Sequence, residues 1–335
     1  MAKLESALLI CHVRHSHTGR VLEKLERFGI QRIYVSVDGP RNEKDREMQF
    51  KLFAELDVRS KNFPKFELRK SEENQGIGVA VISAIDWFFR NEQMGVVIED
   101  DLDFDLDFLR YAEVALNVFE TNREFWMISG SRLIPGDLEQ EKVQRKSLVC
   151  NYPIIWGWAS WADRWKEMLD GIVQLPNQEV KLSSQVKNFW KVGHKRVSKG
   201  IVDTWDIPLA ASMRYLGKKC LMPPVNLVSN LGFDVFASNK MNSGFPLGIQ
   251  IRNLPDLHSL FFEEIKAQAS TDSSEIQEVN HILERYVFGI KKRHSIIEWY
   301  SAVLDHLKKI GKVRTPLINR LPNQKQVSEI EILND

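Results

Sequence analysis

Apolar and polar positions along the first hundred residues fall into blocks that read as strand and helix in alternation. Ala7-Leu8-Leu9-Ile10 is a continuous apolar run of strand length, followed by a polar loop from His12 to His17. From Gly19 to Phe28 the apolar residues Val21, Leu22, Leu25 and Phe28 recur at helical spacing. Arg32 to Val37 reads as a second strand, closed by the turn signal Asp38-Gly39-Pro40. A polar helix over Glu43 to Leu56 and a short strand around Phe66-Glu67-Leu68 come next. Asn74-Gln75-Gly76-Ile77-Gly78 then leads into an amphipathic helix, Val79 to Phe89, and Val96 to Ile98 forms the next strand. This alternation predicts a parallel, doubly wound α/β sheet. In such sheets ligands bind beyond the carboxyl ends of the strands. Asp38, Asn74 and the acids after Ile98 each stand just past such an end, so the sequence expects them to share one crevice.

The second half is less regular. Trp158, Trp161 and Trp165 fall at helical spacing and read as core, whereas Trp156, ahead of them and beside Gly157, offers an aromatic face to a sugar ring. From about Leu257 the chain reads as helical, with Ile296, Tyr300, Val303, Leu307 and Ile310 on one face and Lys308, Lys309, Lys312 and Arg314 nearby. The simpler use of that helix is core packing with a solvated basic edge; its lysines could also meet an anionic membrane. The expected organisation is a nucleotide-sugar-binding half over 1–130, an acceptor and catalytic-base half over 131–245, and a helical extension over 246–335, with no clean boundary between them.

Charge narrows the function classes. Forty-six Lys and Arg nearly cancel 45 Asp and Glu over 335 residues, so no global field recruits nucleic acid or an anionic membrane, and any electrostatic function must be local. Three scattered cysteines make neither a disulfide framework nor a zinc pair and suit a reducing, cytoplasmic setting. No run of about 18 apolar residues occurs, so a soluble or peripheral protein is expected.

The local concentration of charge is at GVVIEDDLDFD. An apolar strand stops at Glu99-Asp100-Asp101, and Asp103, Asp105 and Asp107 come soon after. Acids in a first helical turn satisfy free N–H groups, which accounts for Asp105 and Asp107 ahead of a helix from Phe108 to Phe119. Asp100 and Asp101 precede that helix and end a buried strand, a position that suits a hard dication, Mg²⁺ or Mn²⁺, held against a diphosphate. Phosphatases with an Asp-x-Asp nucleophile carry it after their first strand with a small residue behind. Here Phe104 stands behind the acids and two clear strands come earlier.

At these residues the chain resembles the GT-A glycosyltransferases, in the branch containing the eukaryotic N-acetylglucosaminyltransferase that begins complex N-glycan formation and its bacterial relatives. The matching stretches are Arg14 in the first loop, Ser36-Val37-Asp38-Gly39, Asn74 with Gly76 and Gly78, Glu99-Asp100-Asp101-Leu102, Trp156 to Trp161, Thr204-Trp205-Asp206, and Asn226 to Phe233. They run in order from about residue 6 to 240. The resemblance implies a GT-A, Rossmann-like mixed sheet flanked by helices and an inverting transfer, with UDP-GlcNAc the favoured donor. It also implies residue roles: Asp101 on the metal, Glu99 and Asp100 on the ribose or donor sugar, Asp38 on the uracil, and Arg14 and Asn74 on the nucleotide side. Asp206 would be the general base, with Trp156 and Trp205 facing a glycan or lipid-linked saccharide acceptor. The first loop keeps only Arg and His of the relatives' pattern, and Ile207-Pro208 stands after Asp206 where they have an aromatic or polar residue.

Two other readings stay open on the residues. A sugar nucleotidyltransferase would place a glycine-rich basic loop after the first strand, but Cys11 to Gly19 holds one glycine. A glycan-binding protein without turnover would keep the fold and lose the base.

Overall fold

The computed structural model describes residues 1–134, 146–177, 180–231, 264–266 and 272–290. Its centre is an eight-stranded sheet. The first four strands, β1 (Ser6–Cys11), β2 (Arg32–Val37), β3 (Lys65–Lys70) and β4 (Met94–Glu99), pair in parallel in the order β3-β2-β1-β4. Helices α1 (His15–Phe28), α2 (Glu43–Ser60) and α3 (Ile77–Asn91) connect them. The order then runs on through β8 (Trp158–Trp161), β6 (Phe125–Ser129), β9 (Lys219–Met222) and β7 (Leu148–Cys150). Here β8 is antiparallel to both β4 and β6, and β7 is antiparallel to β9. The sheet is therefore mixed and mostly parallel, not all-parallel. A second ribbon pairs β5 (Leu102–Phe104) with β10 (Val228–Asn230).

Both faces are covered, because strand side chains alternate between them. Ala7, Leu9, Val96 and Ile98 join the core formed with α1, α2 and α4 (Leu106–Val118). Leu8 and Val97 join the core under α3, α5 (Ala162–Val173), α6 (Ser184–Ser198) and α7 (Asp206–Leu216). Burial on both sides explains why β1 and β4 read as apolar runs, Ala7 to Ile10 and Val96 to Ile98. A last helix, α8 (Ser273–Ile282), is tied down by hydrogen bonds between Asn280 and Asn151 at 2.8 Å.

Local signals set the element ends. Asn42 caps α2 by accepting from the Asp45 N–H, and Asp105 caps α4 by accepting from the Asp107 N–H. Gly29, at φ 97°, closes α1 in the left-handed region, where its N–H reaches back to Leu25 and Glu26. The aromatic stretch departs from the sequence expectation. Trp158 and Trp161 are buried as expected, but in the strand β8 rather than in a helix, with only Trp165 on α5. Phe233 and the basic helix around Lys308 lie outside the described residues, as does most of 246–335.

Candidate active site

The acids of the fourth strand separate into used and unused groups. Asp103 pairs with Lys24, Asp105 caps α4, and Asp107 accepts from Arg110 at 2.7 Å. Glu99, Asp100 and Asp101 stand together at the carboxyl end of β4. Asp100 is buried and has a donor on each oxygen: Oδ2 accepts from the His12 N–H and Oδ1 from Arg14 Nη1, both at 2.9 Å. The same Arg14 nitrogen lies 3.2 Å from Asp101 Oδ2. Asp100 therefore serves to seat Arg14, and the contact to ribose or sugar expected of it would have to share oxygens already in use.

Asp101 is held from the other side. Its carbonyl accepts from the Leu231 N–H at 2.7 Å, beyond the β5–β10 ribbon. Among the described residues its buried Oδ1 meets no hydrogen-bond donor outside its own backbone. Burial, then the charge of Asp100, pushes the Asp101 carboxyl up to about 6, while Arg14 opposes the rise. Burial and the charges of Asp101, Asp100 and Asp206 push Glu99 up to about 8. Carboxyls so raised, beside one buried oxygen left unmatched, suit a hard dication that would share them. Among the described residues no group of three or more His, Cys, Asp or Glu side chains is placed to hold a metal ion.

Asp206 reaches this cluster from the other half of the chain. It is the first residue of α7, where its Oδ1 accepts from the Thr204 hydroxyl and from the Ile207 N–H at 2.8 Å. Oδ2 has no protein partner among the described residues. Asp203 takes a different post, accepting from the Gly78 N–H at 3.3 Å in the first turn of α3. The loop before α7 is thereby pinned to the Asn74–Gly78 loop.

Asp38 anchors that loop from the second strand. Its Oδ1 accepts from the Gly39 and Gln75 N–H groups, both at 2.9 Å; its Oδ2 accepts from the Gly76 N–H at 3.3 Å and from Asn74 Nδ2 at 2.8 Å. Four donors fill the usual acceptor capacity of a carboxylate. Asp38 and Asn74 thus close a turn against each other, and the N–H groups of residues 75, 76 and 78 already face carboxylates. The turn is tight: a Cβ on Gly39 would sit 2.2 Å from the Glu73 carbonyl carbon.

The two tryptophans assigned to an acceptor diverge. Trp205 is 2% exposed and stacks on Trp158, with centroids 6.1 Å apart at 27°; its ring belongs to the core, which corrects its expected place against an acceptor. Trp156 is half-buried. It stands just ahead of β8, separated from it by Gly157, whose φ of 62° ends the strand.

Two residues escaped the sequence reading. Gln49 Nε2 donates to the carbonyls of His12, at 3.0 Å, and Asp38, at 2.7 Å, stitching the first two loops together. His12 stands between Asp100 and Asp45, whose Oδ2 is 3.8 Å from its Nε2; burial first, then Arg41, lowers its pKa. The signal for Gln49 was present: Asp45, Gln49, Leu52 and Leu56 form the buried stripe of α2, two of them polar.

No family model matches this sequence, and no curated protein matches it. Among solved structures, a UDP-glucose pyrophosphorylase complexed with UDP-glucose aligns over 66% of this chain and 90% of its own, at 10% identity and a TM-score of 0.37. A glucose-1-phosphate thymidylyltransferase from Bacillus anthracis, in complex with a sucrose, aligns over 51% of this chain and 75% of its own, at 14% identity and a TM-score of 0.30. Likeness at these scores carries no argument about activity. A functional reading has to come from the strand-end acids and the residues around them.

Proposed function

We propose that this chain is a metal-dependent inverting glycosyltransferase. The donor would be a UDP-sugar, with N-acetylglucosamine favoured by the sequence resemblance, and the acceptor a hydroxyl of a glycan or glycoconjugate. One observation carries the reading: Asp206, from a helix remote in sequence, is close enough to the strand-end acids to raise Glu99. An inverting displacement needs that pairing, with a cation site at the leaving group and a carboxylate base opposite.

Asp101, with Glu99 beside it, would hold Mn²⁺ or Mg²⁺, which when bound neutralises charge on the departing diphosphate. Asp100 locks Arg14 beside the same oxygens, so a guanidinium also faces the phosphates. The turn closed by Asp38 and Asn74 shapes the nucleotide side, and Trp156 offers a ring to the acceptor. Thr204 and the Ile207 N–H fix Asp206 through Oδ1 and leave Oδ2 to take the proton from the attacking hydroxyl. As the new bond to the anomeric carbon forms, the bond to the nucleoside diphosphate breaks on the opposite face.

Thermal unfolding with nucleotides, with and without Mn²⁺, tests the donor half. Stabilisation by UDP that needs the metal and disappears in Asp101→Asn is the expected result; stabilisation by GDP instead would overturn the choice of base. Asp206→Asn should keep the UDP shift and lose turnover of UDP-GlcNAc by about 10²–10⁴-fold. Unchanged turnover would remove Asp206 as the base, and no turnover in either form would favour a binding protein.

A further inference from the structure

We propose that the outer face of α6 is a docking surface for an anionic membrane, whatever reaction the site carries out. Between Val180 and Val202 stand Lys181, Lys187, Lys191, Lys195, Arg196 and Lys199, with no Asp or Glu. The chain as a whole is almost neutral, at +1, so this segment holds a local excess that the rest balances elsewhere. The helix has an inner face, where Val186, Trp190, His194 and Val197 are buried. Lys191, Lys195 and Lys199 are exposed and make no ion pair among the described residues.

The form of this surface selects its partner. Lys191, Lys195 and Lys199 recur every fourth residue, so they form a ridge about 12 Å long on the outside of the helix end. A convex ridge has no walls with which to enclose a small anion, whereas a plane of headgroup phosphates can meet every lysine at once. Two partly exposed apolar residues, Val180 and Ile201, each 39% exposed, stand in the chain just before and just after this helix. Basic residues backed by apolar ones suit a bilayer interface better than a soluble polyanion. The chain needs no spanning segment for this: no helix among the described residues is long and apolar enough to cross a membrane.

Co-sedimentation of the full-length protein with vesicles tests the proposal. The protein should bind vesicles of phosphatidylcholine mixed with phosphatidylglycerol, fail to bind pure phosphatidylcholine, and release in high salt. Each basic residue near an anionic surface strengthens binding about fivefold, so the triple variant K191Q/K195Q/K199Q should bind on the order of 100-fold more weakly. An unchanged circular dichroism melt would show that this variant is folded; if it is not, the single variants should each lose about fivefold. Equal binding by folded variant and parent would overturn the proposal and place the contact elsewhere in the chain. Absence of binding by the parent, or tighter binding to heparin than to the mixed vesicles, would overturn it as well.

Discussion

Asp38 and Trp205 show how a side chain's role is decided by what it already holds. With four donors on its carboxylate, Asp38 keeps the turn between the second strand and α3 closed. Asp38→Ala should cost about 2–3 kcal/mol, since it removes a charged acceptor from part-buried donors; urea unfolding measures it. Trp205→Ala should cost about 3–5 kcal/mol, as for an aromatic removed from a packed core. An unchanged stability together with a raised KM for acceptor would instead return that ring to the acceptor site. At this scale the sequence was informative where chemistry is local. Asp105 ahead of a helix and Asp206 near the start of one are expected from capping and dipole rules. Gln49 could be placed on the inner stripe of its helix, but its role was not legible, because its partners are backbone carbonyls of two loops that only the fold brings together.

Among elements, the apolar strands announced themselves and the aromatic one did not. In β8, Trp158 faces one core while Ala159 and Trp161 face the other, so burial on both sides erases the two-residue period. A three-residue gap between tryptophans then imitates a helix turn. The far end of the same sheet carries a polar knot that had no signature in sequence. Glu92, after α3, accepts from Ser6 at 2.6 Å, Arg32 at 2.9 Å and Tyr34 at 2.8 Å. Burial raises its carboxyl, but the hydrogen bonds from Arg32, Ser6 and Tyr34 outweigh it and hold the pKa below the usual value. A carboxyl lowered in the folded state stabilises above its unfolded pKa, and that contribution fades as pH falls through the folded value. Glu92→Gln should therefore lose stability at pH 7 and show a flatter decline between about pH 5 and 3. Urea midpoints across that range would reveal it, and parallel acid limbs in parent and variant would count against it.

For the molecule as a whole, the doubly wound half was readable from strand and helix alternation, whereas the second half was not. There β6, β8 and β9 are short and come from separated stretches, so order in space departs from order in sequence. Ligand linkage belongs at this scale. UDP at about 100 times its dissociation constant, with Mn²⁺ present, should add about 2.7 kcal/mol. For a chain of 335 residues that is a rise of roughly 3–5 °C in Tm. Removing the dication with a chelator should abolish the rise while leaving the unliganded melting temperature unchanged.

The reversed strand β8 follows β6 in the chain, beyond residue 130, yet sits between β4 and β6 in the sheet. An isolated polypeptide of residues 1–130 would therefore be amputated in the middle of its own sheet, with the backbone of Gly95 to Val97 stripped of the neighbours Trp158 to Ser160. Such a bare border invites a sister molecule to lie alongside. Analytical ultracentrifugation of that truncated product should find dimers and larger aggregates, and a synthetic peptide spanning Gly157 to Ala162 should return it toward the monomer.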